Sequence, residues 1–170
     1  PIYNDLMAQN DLKYARELVI NGLRKNPQQV VFLQKLIQIN IQEAKWQDAA
    51  KVAVELAKFP KEKNSAKFYL ANIFQGQGEY EKAIVLYKEL ISEFPEQLRV
   101  LQNLSRCYDL LNERSEMLVF LKAHIASSKN NVAATLLLSD LYIDSQQYSK
   151  AVKLLKTLKL SLATEAKHME

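Results

Sequence analysis

The sequence predicts an all-α fold built from repeated pairs of antiparallel helices. Three observations lead to this prediction. The chain resembles itself at a shift of 34 residues, its apolar residues follow helical spacing, and its 170 residues include only three glycines and four prolines. So few chain-breaking residues favour long helices joined by short turns. A chain of this length can bury about 70% of its unfolded surface, so burial does not limit folding.

Three sets of positions recur at the 34-residue spacing and are called combs below. The first comb holds a small residue in all but one unit: Ala15, Ala49, Ala83, Met117 and Ala151. The second holds a bulky residue, aromatic in all but one unit: Asn40, Phe74, Tyr108 and Tyr142. The third is invariant: Leu36, Leu70, Leu104 and Leu138. Three combs in one phase indicate a tandem array.

Each comb meets a packing requirement of paired helices. A small residue is needed where the two helices of a unit approach most closely, and bulky residues one turn away fill the groove to the next unit. Both helices of a unit also carry the apolar spacing of a one-sided helix, as in Ala66, Leu70, Ile73 and Phe74. The combs therefore predict helix pairs that stack on their neighbours.

Turn-forming residues follow the same period. Pro27, Pro60 and Pro95 each end one unit and start the next, where a missing N–H is harmless, and Asn130-Asn131 takes this position at the fourth junction. Gly76 and Gly78 are expected to supply the φ freedom for the turn inside a unit. The equivalent turns at 44–46 and 145–148 lack glycine, so we expect them to be less sharply specified.

The units resemble the tetratricopeptide repeat (TPR) family. The closest match is Lys67-x2-Leu70-Ala71-x2-Phe74, followed by Ala83-x3-Tyr87 and then Pro95. The resemblance covers about residues 1–163 and implies a right-handed α-solenoid, a TPR-like superhelix of about four and a half repeats. The expected units are 1–27, 28–60, 61–95, 96–129 and 130–163. Residues 164–170 are expected to be a truncated next helix or a frayed tail, and both ends to be cuts through a longer array.

Ten helices are predicted from the repeat phase. They span residues 1–8, 11–25, 28–43, 46–58, 62–76, 79–93, 96–111, 114–127, 131–144 and 147–159.

Composition argues against several classes of protein. The net charge of +4 comes from 23 basic and 19 acidic residues that are interspersed, which does not indicate a nucleic-acid surface. The single cysteine, Cys107, cannot form an internal disulfide. No segment approaches the roughly 20 apolar residues that span a bilayer, so direct membrane insertion is not expected. A soluble fragment from either the cytoplasm or a bacterial periplasm fits the sequence, and its compartment stays open.

Catalytic and metal chemistry is not expected, and neither is a cofactor. The only histidines are His124 and His168, and neither lies near Cys107 in the repeat register. Asp140 and Asp144 form an acidic pair without a third ligand, which indicates a solvated face. The lysines that recur every third residue at the end of the chain suit an acidic partner or a lipid surface, although a solvated helix face is the favoured interpretation: Lys150, Lys153, Lys156 and Lys159.

The family resemblance implies that the first helices of successive units line a concave groove for a peptide or protein segment. Opposite the leucine comb, these helices present the following candidate binding residues: Gln34, Gln38, Phe68, Asn72, Gln75, Arg99, Gln102, Arg106, Asp109, Leu136 and Asp140. An alternative with equal weight is a generic hydrophilic face. The family's carboxylate clamp is not expected, because both asparagines fit, at Asn72 and Asn103, but every cation is missing.

The predicted function is a non-catalytic scaffold that binds another protein, with a bacterial assembly or secretion system as one context by family analogy. The alternative is a regulatory or substrate-docking segment of a larger enzyme. Self-association through exposed terminal helices is a third possibility. We expect Arg106→Glu and Phe68→Ala to weaken capture of the partner without lowering thermal stability.

Overall fold

The computed structural model describes residues 2–27, 29–127 and 131–168, with side chains through residue 163. These described residues form α-helices and one short 3₁₀ turn at Pro60–Glu62, without a strand. The helices are α1 (Ile2–Ala8), α2 (Leu12–Lys25), α3 (Val30–Gln42), α4 (Trp46–Ala57), α5 (Lys63–Gly76), α6 (Tyr80–Glu93), α7 (Leu98–Leu110), α8 (Arg114–Ser127), α9 (Val132–Asp144) and α10 (Tyr148–His168). Odd-numbered helices are called first helices and even-numbered ones second helices. The all-α prediction is confirmed.

The helices belong to two compact units, Pro1–Leu86 and Tyr87–Glu170, with the boundary inside α6. In the first unit α1 to α5 pack in chain order, each helix against the next. In the second unit α7 to α10 do the same, and α7 also contacts α9. Packing of sequential neighbours is typical of a repeat array. The single array over residues 1–163 stays a prediction.

The core of the first unit lies on both sides of α3. Ile39 packs with Tyr3, Ala15 and Val19 from α1 and α2. Ile37, two residues earlier, belongs to a second cluster with residues of α4 and α5. A single helix thus shares its apolar surface between two neighbours, because its apolar residues cover more than one face.

Burial confirms the packing positions that the combs predict. Every residue of the small comb is buried: Ala15, Ala49, Ala83, Met117 and Ala151. Leu104 and Leu138 are buried in the second unit, while Leu36 and Leu70 are half-buried against the clusters of the first. Removing side-chain volume from these positions is therefore expected to leave cavities.

The interruption of the aromatic comb at Asn40 has a partner in the preceding helix. Asn40 is only 2% exposed, and its Oδ1 accepts a hydrogen bond of 2.7 Å from Arg16 Nη2. Arg16 itself departs from the repeat, because its counterparts 34, 68, 102 and 136 residues later are apolar: Ala50, Ile84, Leu118 and Val152. The two departures compensate each other, since the buried amide needs a polar neighbour.

Each turn inside a helix pair places one residue in the left-handed region, again at the 34-residue spacing. These residues are Asn10 (φ 57°), Ala44 (φ 54°), Gly78 (φ 81°), Asn112 (φ 60°) and Gln146 (φ 59°). In all five turns the next residue donates its N–H over 2.8–2.9 Å to the carbonyl five positions earlier, as Lys45 does to Asn40. This pairing is the Schellman helix end, which satisfies carbonyls that the helix leaves unpaired.

Two expectations about these turns are wrong. The turns without glycine at Ala44 and Gln146 have the same geometry as the one at Gly78. Gly76 lies inside α5, and its importance is steric, because a Cβ there would come within 2.4 Å of the Trp46 ring. The close approach of α4 and α5 excludes a side chain at this point, whereas Gly78 does supply the left-handed conformation.

We expect Ala44→Gly to raise the free energy of unfolding by about 0.5–1 kcal/mol, because the left-handed conformation costs a non-glycine residue about 1–2 kcal/mol and glycine loses more chain entropy on folding. Gly78→Ala is expected to lower it by about 1 kcal/mol, since a Cβ there meets open space and only the backbone is strained. Urea titration followed by circular dichroism measures both, with Asn112→Gly as a control of smaller effect. A loss of stability in Ala44→Gly would contradict this explanation.

The observed helix ends agree with the predicted ones within about two residues, except at the last helix. α10 was expected to end at residue 159 but runs to His168, so residues 164–168 continue α10 and do not start a new helix. Residues 169 and 170 lie outside the described part, as does Asn130 of the fourth junction. Pro27 and Pro95 precede the first residues of α3 and α7 by three positions, whereas Pro60 begins the 3₁₀ turn that leads into α5.

Candidate binding face of the first helices

In the first unit, Gln38 connects three successive first helices. Its Oε1 lies 3.2 Å from the donating hydroxyl of Tyr3 on α1, and its Nε2 donates to the hydroxyl of Tyr69 on α5 over 3.3 Å. Gln38 itself is exposed, so the row Tyr3–Gln38–Tyr69 forms a polar line along the surface of this unit. Such a row presents donors and acceptors at fixed positions, as an extended or helical ligand requires.

A cation lies against one end of this row. Lys35 Nζ is 3.5 Å from the centre of the Tyr3 ring, and the Tyr3 hydroxyl also lies 3.2 Å from the Lys35 carbonyl oxygen. Burial raises the pKa of Tyr3 to about 12, with Tyr69 as a smaller cause, and burial lowers the pKa of Lys35. Tyr3 is therefore a neutral hydrogen-bonding group and an aromatic surface for the lysine at neutral pH.

The other candidates of the first unit are already engaged within the chain. Gln34 Nε2 donates to Glu62 Oε2 over 2.9 Å. Phe68 was expected to be exposed but is half-buried, with its ring 6.2 Å from that of Tyr69 at 59°. Asn72 and Gln75 are also half-buried and have interactions of their own. The expectation that Phe68→Ala would leave stability unchanged is corrected, since the ring packs within the unit.

The second unit presents charged groups on the same side of its first helices. Arg99, Gln102 and Arg106 are exposed at spacings of three and four residues, which places them on one face of α7. Asp140 and Leu136 are exposed on α9. This face therefore offers two guanidinium groups that suit carboxylates, besides one acid and one apolar contact.

Asp109 is turned toward the following helix. Its Oδ1 accepts a hydrogen bond of 2.8 Å from Arg114 Nε at the start of α8, and this bond raises the pKa of Arg114. Arg114 also lies 3.9 Å from Asp144 on α9. Asp109 thus stabilises the turn between α7 and α8, which makes it a weaker candidate for partner contact than Arg99 or Arg106.

Sequence reasoning missed Tyr3, Tyr69 and Glu62 as members of this face. Tyr69 follows Phe68 directly and occupies the same repeat position as Lys35, so the 34-residue register could have found it. Tyr3 lies in the truncated first unit, where too little of the pattern remains to assign a role. Glu62 lies in the 3₁₀ turn before α5, which the helical period does not describe.

The reactive side chains of the second unit have structural surroundings. Burial raises the pKa of Cys107 to about 11, so its thiol stays protonated at neutral pH. The His124 ring stacks on Phe120 at 5.7 Å, and its Nε2 lies 3.0 Å from both Pro95 O and Asn131 Nδ2. His124 is therefore part of the junction between loops, in agreement with the structural role favoured by the sequence.

Two further features were sought in the described ranges. No three His, Cys, Asp or Glu side chains among the described residues come together as metal ligands would. None of the helices described there is both long and apolar enough to cross a bilayer.

The repeated helix pairs and their 34-residue turns define an all-α helical-repeat protein. The chain has the TPR fold, as solved structures of that fold show. It is similar to a thermophilic TPR protein from Thermus thermophilus, with a TM-score of 0.61, 19% identity and coverage of 95% of this chain and 96% of that one. MamA matches with a TM-score of 0.58 and 18% identity over 98% of both chains. PilF of Pseudomonas aeruginosa matches with a TM-score of 0.63 and 14% identity, over 94% of this chain and 73% of that one.

In sequence, no family model matches the chain, and no curated protein is significantly similar to it. Identities below 20% in the structural matches show the fold alone.

Proposed function

We propose that this chain is a non-catalytic scaffold that binds a peptide or protein segment along its first helices. One observation carries the proposal: a comb at the 34-residue spacing is polar in four units and buried in none of them. It consists of Gln38, Asn72, Arg106 and Asp140. The comb two residues earlier is the invariant leucine comb, which packs inside the units.

The side chains of this polar comb differ in chemistry from unit to unit. Packing positions of the array repeat the same residue type, since every helix pair must satisfy the same neighbour contacts. The polar comb instead carries two amides, a cation and an anion in order. A surface that keeps its position but changes its chemistry is suited to reading successive positions of a ligand.

The first unit contributes fixed hydrogen-bonding groups, and the second contributes charge. The row Tyr3–Gln38–Tyr69 is held in place by its own hydrogen bonds, so little side-chain entropy is lost when it contacts a ligand. Arg99 and Arg106 are exposed on α7 and favour a ligand segment that carries carboxylates. We therefore propose an acidic or mixed polar segment as the ligand of the second unit.

Site-specific photo-crosslinking tests this proposal. A benzoylphenylalanine placed at Gln38 or Arg106 is expected to crosslink the same cellular protein, identified by mass spectrometry. Val54 and Val119 serve as controls, because they are 55% and 61% exposed on second helices of the first and second unit. Crosslinks to one protein from the two control positions, with none from Gln38 and Arg106, would contradict the proposal.

The bacterial assembly or secretion context stays a prediction, since the structural neighbours inform only the fold. Identification of the crosslinked protein tests that context as well.

A further inference from the structure

A second surface of the molecule lies on α10, on the opposite kind of helix from the proposed binding face. A groove of about 540 Å³ runs along its exposed side and is lined by Tyr148, Val152, Lys153, Lys156 and Leu160, among others. Tyr148, Val152, Lys156 and Leu160 are spaced four residues apart and so form one row along the helix. Tyr148 is 60% exposed and Val152 is 50% exposed, which leaves a large apolar area in contact with water.

The repeat register shows what covers the equivalent positions elsewhere in the chain. Three units earlier, Trp46 corresponds to Tyr148 and Ala50 corresponds to Val152. Both are half-buried on α4 and pack against the cluster to which α5 contributes Ala66 and Ile73. The Trp46 ring also lies directly against Gly76 of α5. A first helix thus covers these positions on α4, and the row on α10 has the same spacing.

The charge of α10 specifies which helix would fit there. Residues 148–163 contain four lysines and no acidic residue. Lys153 and Lys156 line the groove, and neither forms an ion pair within the ranges that the structure describes. Two cations beside an exposed apolar row favour a ligand with carboxylates beside its own apolar residue.

A lipid surface fits the same residues less well. The strongly apolar side of α10, with Ala151, Leu154, Leu155 and Leu158, is buried or half-buried, and α10 packs against α9. On the exposed side Lys156 lies in the middle of the row, between Val152 and Leu160. An interfacial helix needs a continuous apolar face with its cations at the edges, and α10 does not offer one.

We propose that α10 binds an amphipathic helix of another protein, one that carries acidic residues beside a bulky apolar residue. The ligand helix lies along Tyr148 and Val152 as α5 lies along Trp46 and Ala50, and its carboxylates approach Lys153 and Lys156.

The experiment uses the full 170-residue chain and a stapled, fluorescein-labelled peptide with the sequence of residues 131–146. This sequence forms a first helix in the structure, and it contains Asp140 and Asp144 but no lysine or arginine. Fluorescence anisotropy is expected to show binding that weakens at least about tenfold with Val152→Glu and with Lys153→Glu/Lys156→Glu. A peptide with both aspartates changed to lysine is expected to bind about tenfold more weakly, and added salt to weaken the parent complex.

Val119→Glu is the matched control, because Val119 is similarly exposed, at 61%, on the second helix α8 and lies outside the groove. All protein variants are expected to keep the parent's melting temperature, since the changed side chains are exposed. Equal binding of the peptide by Val152→Glu and the parent would overturn the proposal. So would a concentration-dependent dimer that Val152→Glu abolishes, or binding to phosphatidylglycerol vesicles in the absence of peptide binding.

Discussion

Arg16→Leu is expected to lower the free energy of unfolding by about 2 kcal/mol, although it adds apolar surface at a position where the later units are apolar. The loss arises because Asn40 is buried and Arg16 Nη2 donates to its Oδ1 over 2.7 Å. A buried polar group that loses its partner costs about 1–3 kcal/mol. Glu43, which also accepts from Arg16, keeps its ion pair with Lys45 at 2.7 Å.

The double variant Arg16→Leu/Asn40→Phe separates this explanation from simple loss of packing. Phe74 occupies the position of Asn40 one unit later, where its counterpart of Arg16 is Ala50. We expect the second change to recover most of the stability, because it removes the buried amide that the first change left unpaired. Urea unfolding measures both variants. A single Arg16→Leu variant as stable as the parent would sink the explanation.

Glu43 adds a pH signature to the same variant. A hydrogen bond from Lys45, opposed by burial and assisted by Arg16, lowers the pKa of Glu43. A carboxyl with a lowered folded-state pKa stabilises the fold above its unfolded pKa of about 4.3, and this stability is lost as the pH falls through the folded value. Since Arg16→Leu removes one cause of the lowering, the stability difference between variant and parent is expected to shrink below about pH 4.

Asn131→Ala is expected to lower the free energy of unfolding by about 2–3 kcal/mol. Asn131 is fully buried at the start of α9, where its Oδ1 accepts a hydrogen bond of 2.8 Å from the Ala134 N–H. Its Nδ2 donates to Pro95 O over 2.9 Å and lies 3.0 Å from His124 Nε2. The variant therefore loses a helix cap, at about 1 kcal/mol, and leaves a buried carbonyl with fewer partners.

Asn131→Ser is the control that separates the two losses. Serine caps a helix about as well as asparagine but is too short to take over the bond to Pro95 O, so we expect it to recover about half of the lost stability. Thermal and urea unfolding give the comparison. If Asn131→Ala lies within about 0.5 kcal/mol of the parent, the junction between Pro95 and α9 does not depend on this side chain.

The 34-residue period predicted the helices and their packing because both follow from local spacing. It also contained information that the sequence reasoning did not use, since residues 10, 44, 78, 112 and 146 share one backbone conformation. That conformation depends on hydrogen bonds at the helix end and not on residue type, so alanine and glutamine adopt it as glycine does. The extension of α10 to His168 was missed because Lys159 and Leu160 depart from the apolar pattern at the end of the unit.

The candidate face was predicted in position better than in detail. Phase alone places Gln38, Arg99 and Arg106 on the exposed side of their helices. It does not reveal that Gln38 bonds to Tyr3 and Tyr69, or that Asp109 bonds to Arg114, because those contacts depend on the spacing between neighbouring helices. Phe68 was misjudged for the same reason, since its burial comes from tertiary packing.

The central claim is that the first helices bind the partner, and the affinity of the purified crosslinked partner tests it most directly. Arg106→Glu reverses an exposed charge on the first helix α7, and Lys122→Glu makes the same change at an exposed position on the second helix α8. Isothermal titration calorimetry is expected to show at least a tenfold weaker affinity, about 1.4 kcal/mol, for Arg106→Glu and less than about a twofold change for Lys122→Glu. Unchanged binding by Arg106→Glu together with a large loss in Lys122→Glu would contradict the claim.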